Sequence, residues 1–430
     1  MILVDLRRTK WNRKQPTRIL AAALIAVSLS AGGQPPVVPT LQARLDGLLA
    51  PLSKGAAPGC AAGIIREGRW LARGGYGHAS IERGVRIKPD TIFYVASLSK
   101  QFTAAALLRV VELGKASLDD DVRKYLRELP EYSPPITIRH LVYQTSGLPD
   151  YHRLAAEARR DLVENPLSRG EVLAMIAKAK PIHAAGELYR YSSSNYFLMG
   201  EIVQRASGKS LRDFARETLF EPLGMKDTQY YDDPTIDVPR RAVGYYTLGR
   251  EKYGVVKPGH SLVGAGGLLT TVNDLGKWTR VFEDPNAIPA SPRLGARMME
   301  RGATSDGKAT NYGAGLIHER IHDMDVVHHN GFFYGYVATF TWVPKKRMGL
   351  FALCNWSEAS DTLLQGQMLR EGLRLCLLNR PPSPTRCIVK LTSNNALQRT
   401  NEHRGRAVLA MNFGLGGAEW PVCLAAELGR

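Results

Sequence analysis

Ser97 and Lys100 form a Ser-x-x-Lys tetrad at the start of a run of small and apolar residues with helical spacing. On a helix, side chains three residues apart share one face, with Cβ atoms about 5–6 Å apart. A serine hydroxyl becomes a good nucleophile when a neighbour takes its proton, and a lysine amine does so where burial or charge lowers its pKa. Backbone N–H groups at a helix start also stabilise an oxyanion. The tetrad therefore predicts acyl-transfer chemistry.

The tetrad alone is a weak signal, since a capping serine followed by a surface lysine explains most such matches. The residues around the tetrad favour a functional interpretation over a structural one. The apolar, strand-like residues 92–96 lead into it, and residues 104–108 continue a helix that is apolar on all sides. A lysine beside a buried helix face needs a partner, which favours the functional interpretation.

Residues 93–103 resemble the nucleophile segment of the serine β-lactamase family, which includes class C β-lactamases, D-alanyl-D-alanine carboxypeptidases, D-aminopeptidases and some esterases. The resemblance extends over roughly residues 41–378. Further segments resemble the family in family order, namely residues 113–115, 118–120, 138–141, 145–148, 222–225 and 266–268, with Thr271 and Asp274.

The family's Tyr-x-Asn element falls at residues 191–193. The resemblance implies that Tyr191 acts as the general base or shares that role, its phenol acidified by Lys100. Ser193 stands where the family usually has an Asn that contacts the substrate amide. A serine can still donate or accept one hydrogen bond there. Asn195 is close in sequence and could substitute, although a residue two positions further along need not face the same way. Without the resemblance, Tyr191 would be interpreted as an ordinary aromatic residue in a polar turn.

The family's third element, usually Lys-Thr-Gly or His-x-Gly, falls at His329-Asn330-Gly331 on a predicted strand. The resemblance implies that these residues bind substrate and that Gly331 lets it approach the backbone closely. The backbone N–H groups of Ser97 and Phe332 would form the oxyanion hole.

A rival serine motif begins at Gly259 and reads Gly-His-Ser-Leu-Val. It resembles the nucleophile elbow of α/β-hydrolases, but Val263 stands where that motif needs glycine, and the parallel strand-helix alternation is missing. The glycines of residues 264–267 and 74–77 complete no nucleotide fingerprint and indicate loops.

Strands are predicted at both ends of the domain. Residues 59–66 and 69–77 predict an antiparallel hairpin, and residues 326–329, 336–343 and 348–354 predict three more strands. We therefore expect one mainly antiparallel sheet built from both chain ends, flanked by helices, in an α/β (α+β) fold. By the resemblance the fold would be β-lactamase/transpeptidase-like.

Helical patterns occupy the rest of the domain. They predict helices at residues 41–52 and 97–113 and a closing helix at residues 357–378. Residues 136–281 have mostly helical patterns broken by Gly and Pro, which predicts an inserted helical subdomain. The active site is expected between this subdomain and the sheet.

The first 33 residues predict a secretory signal peptide: six basic side chains in residues 7–18 precede the apolar residues 19–29 and the small residues 30–33. The apolar run is shorter than the ~20 residues that cross a bilayer. We expect an exported, periplasmic or secreted protein, whose membrane association would depend on an uncleaved N-terminal segment. Residues 34–380 form the expected hydrolase domain, and the polar, aperiodic residues 381–430 a poorly ordered tail.

The formal charge of +17 is spread without a Lys/Arg run or an aromatic-basic motif, so we expect a solvated basic surface and no nucleic-acid partner.

The five Cys have no metal-binding spacing. Cys60 and Cys354 read as buried core residues, and a disulfide could form in an oxidising compartment, but the sequence does not identify the pair. His328 and His329 have no carboxylate at metal-binding spacing. No metal and no cofactor are expected.

The predicted function is a serine hydrolase that acts through an acyl-enzyme on a small-molecule or peptide substrate. A peptidase or esterase ranks above a β-lactamase or D-alanyl-D-alanine carboxypeptidase, because the third element carries His329 and the second lacks its Asn. The alternative from another class is a non-catalytic binding or sensor protein that retains the fold. The sequence does not decide whether Lys100 or Tyr191 is the base.

Overall fold

The computed structural model describes residues 40–160, 166–249, 252–256, 262–321 and 324–359, together with the strands Val408–Asn412 and Pro421–Ala425. The predicted signal peptide lies outside the described residues, and so does the predicted closing helix beyond residue 359. The chain divides into two compact units, Met1–Asn379 and Arg380–Arg430.

The described α-helices all belong to the first unit. They are α1 Leu41–Leu49, α2 Ser99–Glu112, α3 Ile138–Val142, α4 Tyr151–Glu157, α5 Arg169–Lys178, α6 Ser193–Ser207, α7 Leu211–Ala215, α8 Glu221–Leu223, α9 Val272–Trp278, α10 Arg280–Glu283 and α11 Leu294–Met299. In the part of the chain that the structure describes, no helix has the length and apolar character needed to cross a membrane.

The described strands lie in both units. They are β1 Cys60–Arg66, β2 Arg69–Tyr76, β3 His78–Ser80, β4 Val85–Arg86, β5 Phe93–Tyr94, β6 Gln229–Tyr230, β7 Gly244–Gly249, β8 Lys252–Val256, β9 Leu268–Thr270, β10 Ile317–Ile321, β11 Met324–Phe333, β12 Tyr336–Val343, β13 Met348–Cys354, β14 Val408–Asn412 and β15 Pro421–Ala425.

The largest sheet is antiparallel, with the order β10-β11-β12-β13-β1-β2. Strand β1 pairs with β13 along its whole length, which confirms that strands from both ends of the domain share one sheet. The β-branched and aromatic residues of β12 are buried on both faces. Such a strand packs between two layers, here as a central strand of a sheet covered by helices.

A disulfide joins Cys60 to Cys354, which lie directly opposite each other on β1 and β13. Both cysteines are buried, as expected from their apolar surroundings. The structure thereby identifies the pair that the sequence left open, because the two positions are brought together by strand pairing across 294 residues.

Helix α2 is buried along nearly its whole length and packs against α6. A run of three alanines in α2 allows close approach by neighbouring helices at little cost in side-chain entropy. Gly114, with φ +69°, follows the end of α2, and Gly208, with φ +77°, follows α6. Both helices therefore end at a left-handed glycine.

The middle of the chain contains more strand than its helical pattern predicted. Strand β9 pairs with β5 and β6, and β7 forms a hairpin with β8. Strands β6 and β9 are only two or three residues long, too short to show a period in sequence, whereas β5 lies within the strand-like residues 92–96. These short strands form because segments that are far apart in the sequence pair with each other.

Within the second unit, strand β14 pairs antiparallel with β15. These strands were not predicted from the sequence. A poorly ordered tail over residues 381–430 stays a prediction for the residues outside them.

Candidate active site

Ser97 lies in the short 3-10 turn Ala96–Leu98 that leads into α2, and Lys100 lies in the first turn of the helix. Lys100 Nζ is 3.0 Å from Ser97 Oγ and donates a second hydrogen bond, of 2.8 Å, to the carbonyl oxygen of Ala265. Ala96, just before the serine, has φ +47°, an uncommon conformation for a residue with a side chain. The backbone is thus held in a costly conformation next to the candidate nucleophile.

Lys100 is fully buried, and this burial lowers the pKa of its amine to about 7. The negative charge of Asp150 opposes the shift. A buried ammonium loses the solvation that stabilises its charge, so the neutral amine is favoured. Near neutral pH a large fraction of Lys100 is therefore unprotonated and able to accept a proton from Ser97.

The loop of residues 262–267 brings the Ala265 carbonyl to Lys100. Thr103 in α2 donates a hydrogen bond of 2.7 Å to the Gly264 carbonyl, and the Gly267 N–H donates one of 3.1 Å to the Tyr94 hydroxyl. Gly264 and Gly267 have φ +110° and +85°, which glycine adopts at little cost. A loop at these glycines was predicted from the sequence, but its role of orienting Lys100 was not.

Tyr191 lies just before α6 and is close to both residues of the tetrad. Lys100 Nζ is 5.0 Å from the centre of its ring, and the nearby Ser97 side chain acts to lower the pKa of the phenol. Burial nevertheless raises the pKa of Tyr191 well above its usual range, and the charge of Asp150 adds to the rise. The expectation that Lys100 acidifies this phenol is therefore corrected: the burial that disfavours the phenolate also favours the neutral form of the lysine.

The backbone around Tyr191 is held by residues 144–150. Gln144 Oε1 accepts the Ser192 N–H at 2.9 Å, and Asp150 Oδ2 accepts the Ser193 N–H at 2.6 Å. Hydrogen bonds to an ionised carboxylate are stronger than neutral ones. These bonds orient the segment that presents Tyr191 to Ser97.

Asn195 does not substitute for the family's missing substrate-contacting amide. It is fully buried, its Nδ2 donates to Gln144 Oε1 at 2.6 Å, and its Oδ1 accepts from Ser146 Oγ at 2.6 Å. Position 195 lies inside α6, two residues beyond the family position, and so faces a different direction. Ser193 is also buried, and its side chain lies close enough to Tyr191 to act on the pKa of that phenol.

His329 lies on β11 and is buried close to the same site. Its Nδ1 is 2.7 Å from the carbonyl oxygen of Asn330, and its Nε2 is 3.2 Å from the Tyr312 hydroxyl. Because a carbonyl only accepts, Nδ1 carries the proton and Nε2 accepts from Tyr312. Burial, followed by the proximity of Lys100, lowers the pKa of His329 to about 3, so the ring is neutral. Tyr312 was missed from sequence, since nothing local connects it with His329.

Gly331 has a packing role that differs from the expected one. A Cβ at this position would lie 2.1 Å from the carbonyl oxygen of Val95 and 3.1 Å from the backbone nitrogen of Leu98. The space beside Gly331 is thus filled by the backbone on either side of Ser97. The glycine allows β11 to contact the nucleophile turn directly.

Asn330 and Phe332 flank this glycine. Asn330 Oδ1 accepts a hydrogen bond of 2.9 Å from Thr339 on β12, which fixes its side chain. Phe332 is 42% exposed and lines a cleft together with Ser97.

Strand β10 pairs with β11 only as far as His328, so residues 329–333 lie beyond the end of the neighbouring strand. An edge of this kind can pair with the backbone of a peptide-like ligand.

The cleft beside Ser97 has mostly aromatic and apolar walls. Besides Ala96, Ala265, Gly266, Leu167 and Leu262, its lining residues are Tyr94, Tyr151, His152, Phe332 and Phe333. A concave apolar surface with a few polar groups is the usual form of a small-molecule site. Of the residues that the sequence placed in one site, Ser97 and Phe332 line this cleft. Lys100 contacts Ser97, and Tyr191 lies beside both Lys100 and His329.

Residues 41–370 match the family model described as Beta-lactamase. The chain is similar to the D-aminopeptidase of Gluconobacter oxydans (strain 621H), with 28% identity over 336 residues, 78% of this chain and 62% of that protein. It is also similar to Protein flp of Staphylococcus aureus (strain MRSA252), with 27% identity over 311 residues, 71% of this chain and 60% of that protein. The chain spans about three fifths of the length of these curated relatives.

Solved structures share the fold. The octameric penicillin-binding protein homologue from Pyrococcus abyssi superposes with a TM-score of 0.66 and 25% identity, covering 79% of this chain and 76% of that chain. The D-amino acid amidase from Ochrobactrum anthropi SV3 superposes with a TM-score of 0.64 and 21% identity, covering 79% of this chain and 98% of that chain. The chain therefore belongs to the Beta-lactamase family and has the mixed α/β fold of its penicillin-binding and β-lactamase-like members.

Proposed function

We propose that this protein is a serine hydrolase that cleaves an ester or amide through an acyl-enzyme on Ser97. The proposal is carried by one observation: Lys100 Nζ lies 3.0 Å from Ser97 Oγ, at a buried position where the lysine pKa falls to about 7. A neutral amine within hydrogen-bond distance of a hydroxyl is the arrangement that activates a nucleophile.

In the acylation step Ser97 Oγ attacks the substrate carbonyl, and Lys100 takes the hydroxyl proton. The oxygen of the tetrahedral intermediate is held by the backbone N–H groups of Ser97 and Phe332. Tyr191 keeps its proton at neutral pH because burial raises its pKa. The phenol gives that proton to the leaving group as the carbon–leaving-group bond breaks, and it is reprotonated by the Lys100 ammonium.

In the deacylation step a water molecule attacks the acyl carbonyl and transfers its proton to Lys100 through the Tyr191 hydroxyl, since Ser97 Oγ is esterified and carries no proton. The bond between the acyl carbon and Ser97 Oγ then breaks, and Ser97 recovers a proton from the Lys100 ammonium. Lys100 is therefore the base in this scheme, and Tyr191 is the group that relays the proton.

Several observations support a peptidase or esterase over a β-lactamase or a D-alanyl-D-alanine carboxypeptidase. The relatives include a D-aminopeptidase, and His329 at the third element is neutral. A neutral imidazole offers a hydrogen bond but no charge for a substrate carboxylate.

We also propose that the protein acts outside the cytoplasm. The Cys60–Cys354 disulfide supports this, because disulfides persist mainly in oxidising compartments. The N-terminal pattern of basic, apolar and small residues supports export as well.

The decisive experiment is covalent labelling with a fluorophosphonate and with a fluorescent penicillin, followed by mass spectrometry of the modified peptide. We expect adduct formation at Ser97, hydrolysis of p-nitrophenyl acetate, and loss of both in Ser97→Ala. A surface substitution, Ser117→Ala, is the matched control. A correctly folded Ser97→Ala protein with full activity would falsify the proposal. Labelling without turnover of any ester or amide would favour a binding or sensor protein.

A further inference from the structure

We propose that Thr103 and Tyr230 are positioning residues for the proton transfer from Ser97 to Lys100. Thr103 lies on α2 and Tyr230 on β6, and both are fully buried. Their hydroxyls hold the loop of residues 262–267 where its backbone orients the lysine amine. This inference rests on the proposed hydrolase function and adds two residues that do not touch the reacting groups.

The two hydroxyls form a directed chain of hydrogen bonds that ends on the loop. Thr103 Oγ1 lies 2.7 Å from the Gly264 carbonyl oxygen and 2.6 Å from the Tyr230 hydroxyl, while the Ser99 carbonyl oxygen is farther away, at 3.3 Å. A threonine hydroxyl has one proton and a carbonyl only accepts, so Thr103 donates to Gly264 and the Tyr230 phenol donates to Thr103. Burial raises the pKa of Tyr230 above its usual range, so the phenol keeps the proton that it donates. Because hydrogen bonds in a chain polarise one another, the phenol strengthens the bond from Thr103 to the loop.

Thr103 and Lys100 bind consecutive carbonyls of the loop. The two residues lie three positions apart on one face of α2. Lys100 Nζ donates to the Ala265 carbonyl at 2.8 Å, directly after the Gly264 carbonyl that accepts from Thr103. Gly264 is also packed closely from behind, since a Cβ there would lie 2.5 Å from the Tyr196 carbonyl oxygen. The bond from Thr103 therefore fixes the peptide unit that precedes the acceptor of Lys100.

The Ala265 carbonyl determines how the neutral amine of Lys100 is oriented. A neutral amine has two N–H bonds and one lone pair, and only the lone pair can take the Ser97 proton. Because the carbonyl has no proton, the contact of 2.8 Å requires an N–H on the lysine. That N–H is thereby directed away from Ser97, whose Oγ lies 3.0 Å from Nζ, and the lone pair can face the hydroxyl. In the transfer the Ser97 O–H bond breaks, an N–H bond forms, and Lys100 becomes an ammonium.

The same carbonyl also affects the charge of Lys100. A hydrogen bond to a carbonyl stabilises the ammonium more than the neutral amine, and so it opposes the effect of burial. A loop that moves away from Lys100 should therefore lower the pKa of the lysine below its value of about 7. Misplacement of the loop thus predicts two effects together, a slower reaction and a midpoint at lower pH.

Other titratable groups around Lys100 do not cause such a shift. They lie before and within α6, on β11 and ahead of α4, and are Tyr191, Tyr196, His329 and Asp150. Burial raises the pKa of both tyrosines above their usual range and lowers that of His329 to about 3. Despite its burial, the hydrogen bonds of Asp150 hold its pKa below the usual range. These groups therefore keep their charge between pH 5.5 and 9, and His152, which contacts Asp150, is the same in every variant below.

The test uses Thr103→Val, which keeps the shape of the side chain but removes its hydroxyl. The kcat/KM for p-nitrophenyl acetate is measured from pH 5.5 to 9. We expect its plateau to fall about tenfold or more and its midpoint to move to lower pH by about half a unit, since Lys100 loses its acceptor. Tyr230→Phe should change both in the same direction but by less, because Thr103 can still donate to Gly264. Tyr230→Phe also decides the question if Thr103→Val fails to fold.

Two control variants and a second readout accompany these measurements. Thr103→Ser restores the hydroxyl and should recover the plateau to within about threefold. Thr279→Val removes another buried hydroxyl, which donates to the Gly276 carbonyl at 2.8 Å outside the loop, and it should leave plateau and midpoint unchanged. The pKa of Lys100 is also read from the ¹³Cε chemical shift of labelled lysine, assigned with Lys100→Met, and this readout does not depend on turnover.

The outcomes separate failure of the positioning role from failure of the function. If the wild type hydrolyses the ester through Ser97 but Thr103→Val and Tyr230→Phe keep its plateau and midpoint, the positioning role is rejected and the hydrolase stands. A lower plateau with an unchanged midpoint and Lys100 pKa also rejects the role, because a loss of packing alone has that effect, and so does a midpoint at higher pH. Absence of both ester hydrolysis and labelling at Ser97 rejects the hydrolase itself. An equal Lys100 pKa in wild type and Thr103→Val then rejects the positioning role separately.

Discussion

Gly331 on β11 and Val95 before the nucleophile turn are in direct backbone contact: a Cβ added to Gly331 would lie 2.1 Å from the Val95 carbonyl oxygen. The strand that carries His329 and Phe332 is thereby held against the turn that carries Ser97. Two sequence elements separated by more than 200 residues form one site through this contact, which neither element could show alone.

The first prediction concerns this contact. Gly331→Ala should force β11 away from Ser97, lowering kcat/KM for p-nitrophenyl acetate at least a hundredfold and the free energy of unfolding by about 1–3 kcal/mol, as overpacking does. Gly170→Ala is the control, because a Cβ at that position of α5 meets nothing within 4 Å. Wild-type activity in Gly331→Ala would show that this part of the site tolerates displacement.

The second prediction is a pH dependence of activity. Because burial lowers the pKa of Lys100 to about 7, kcat/KM for a neutral ester should rise as pH increases through about 7 and then level off. The profile is measured from pH 5.5 to 9 after subtraction of spontaneous hydrolysis. The same midpoint is expected in His152→Phe, because Lys100 sets the profile. A midpoint above pH 9 would contradict the assignment of Lys100 as the base.

The third prediction follows from the same pKa but concerns stability. The folded-state pKa of Lys100 lies below the unfolded one, so between pH 7 and about 10 the unfolded chain binds more protons at this residue. The Lys100 contribution to the free energy of unfolding therefore rises with pH across that window. Urea unfolding at pH 7 and 9 should show a smaller rise in Lys100→Met than in the wild type. An identical pH dependence in both proteins would mean that the amine is not desolvated.

The fourth prediction separates the roles of Lys100 and Tyr191. Tyr191→Phe should lower kcat/KM for a 4-nitroanilide substrate by about 10²–10⁴-fold, the usual contribution of a general acid or base. The kcat/KM for p-nitrophenyl acetate, which reports acylation alone, should fall much less, because its leaving group departs without a proton. Ser97 should still react with a fluorophosphonate. Equal losses on the two substrates would assign Tyr191 to another step.

The fifth prediction concerns substrate charge at His329. The wild type should prefer an amidated substrate over its free-carboxylate counterpart at pH 7.5, because the buried imidazole is neutral. His329→Lys should shift the kcat/KM ratio towards the carboxylate form. His328→Lys is the neighbouring control. If the wild type already prefers the carboxylate and His329→Lys leaves the ratio unchanged, another group recognises the charge.

The sequence by itself determined the elements whose signals are local. The Ser-x-x-Lys spacing places Ser97 and Lys100 on one face of a helix, and the period and turn residues mark the hairpins β1–β2 and β12–β13. These relationships extend over a few residues, so side-chain periodicity and turn chemistry are sufficient to specify them.

Only the tertiary structure decided the partners of those residues. Lys100 reaches the Ala265 carbonyl across 165 positions, and Asn195 turns to Gln144 and Ser146 instead of the cleft. Burial also reversed the expected pKa shift of Tyr191. The physical reason is that desolvation and hydrogen-bond partners depend on how the sheet, the helices and the loop of residues 262–267 pack together. This packing cannot be inferred from a residue's neighbours in sequence.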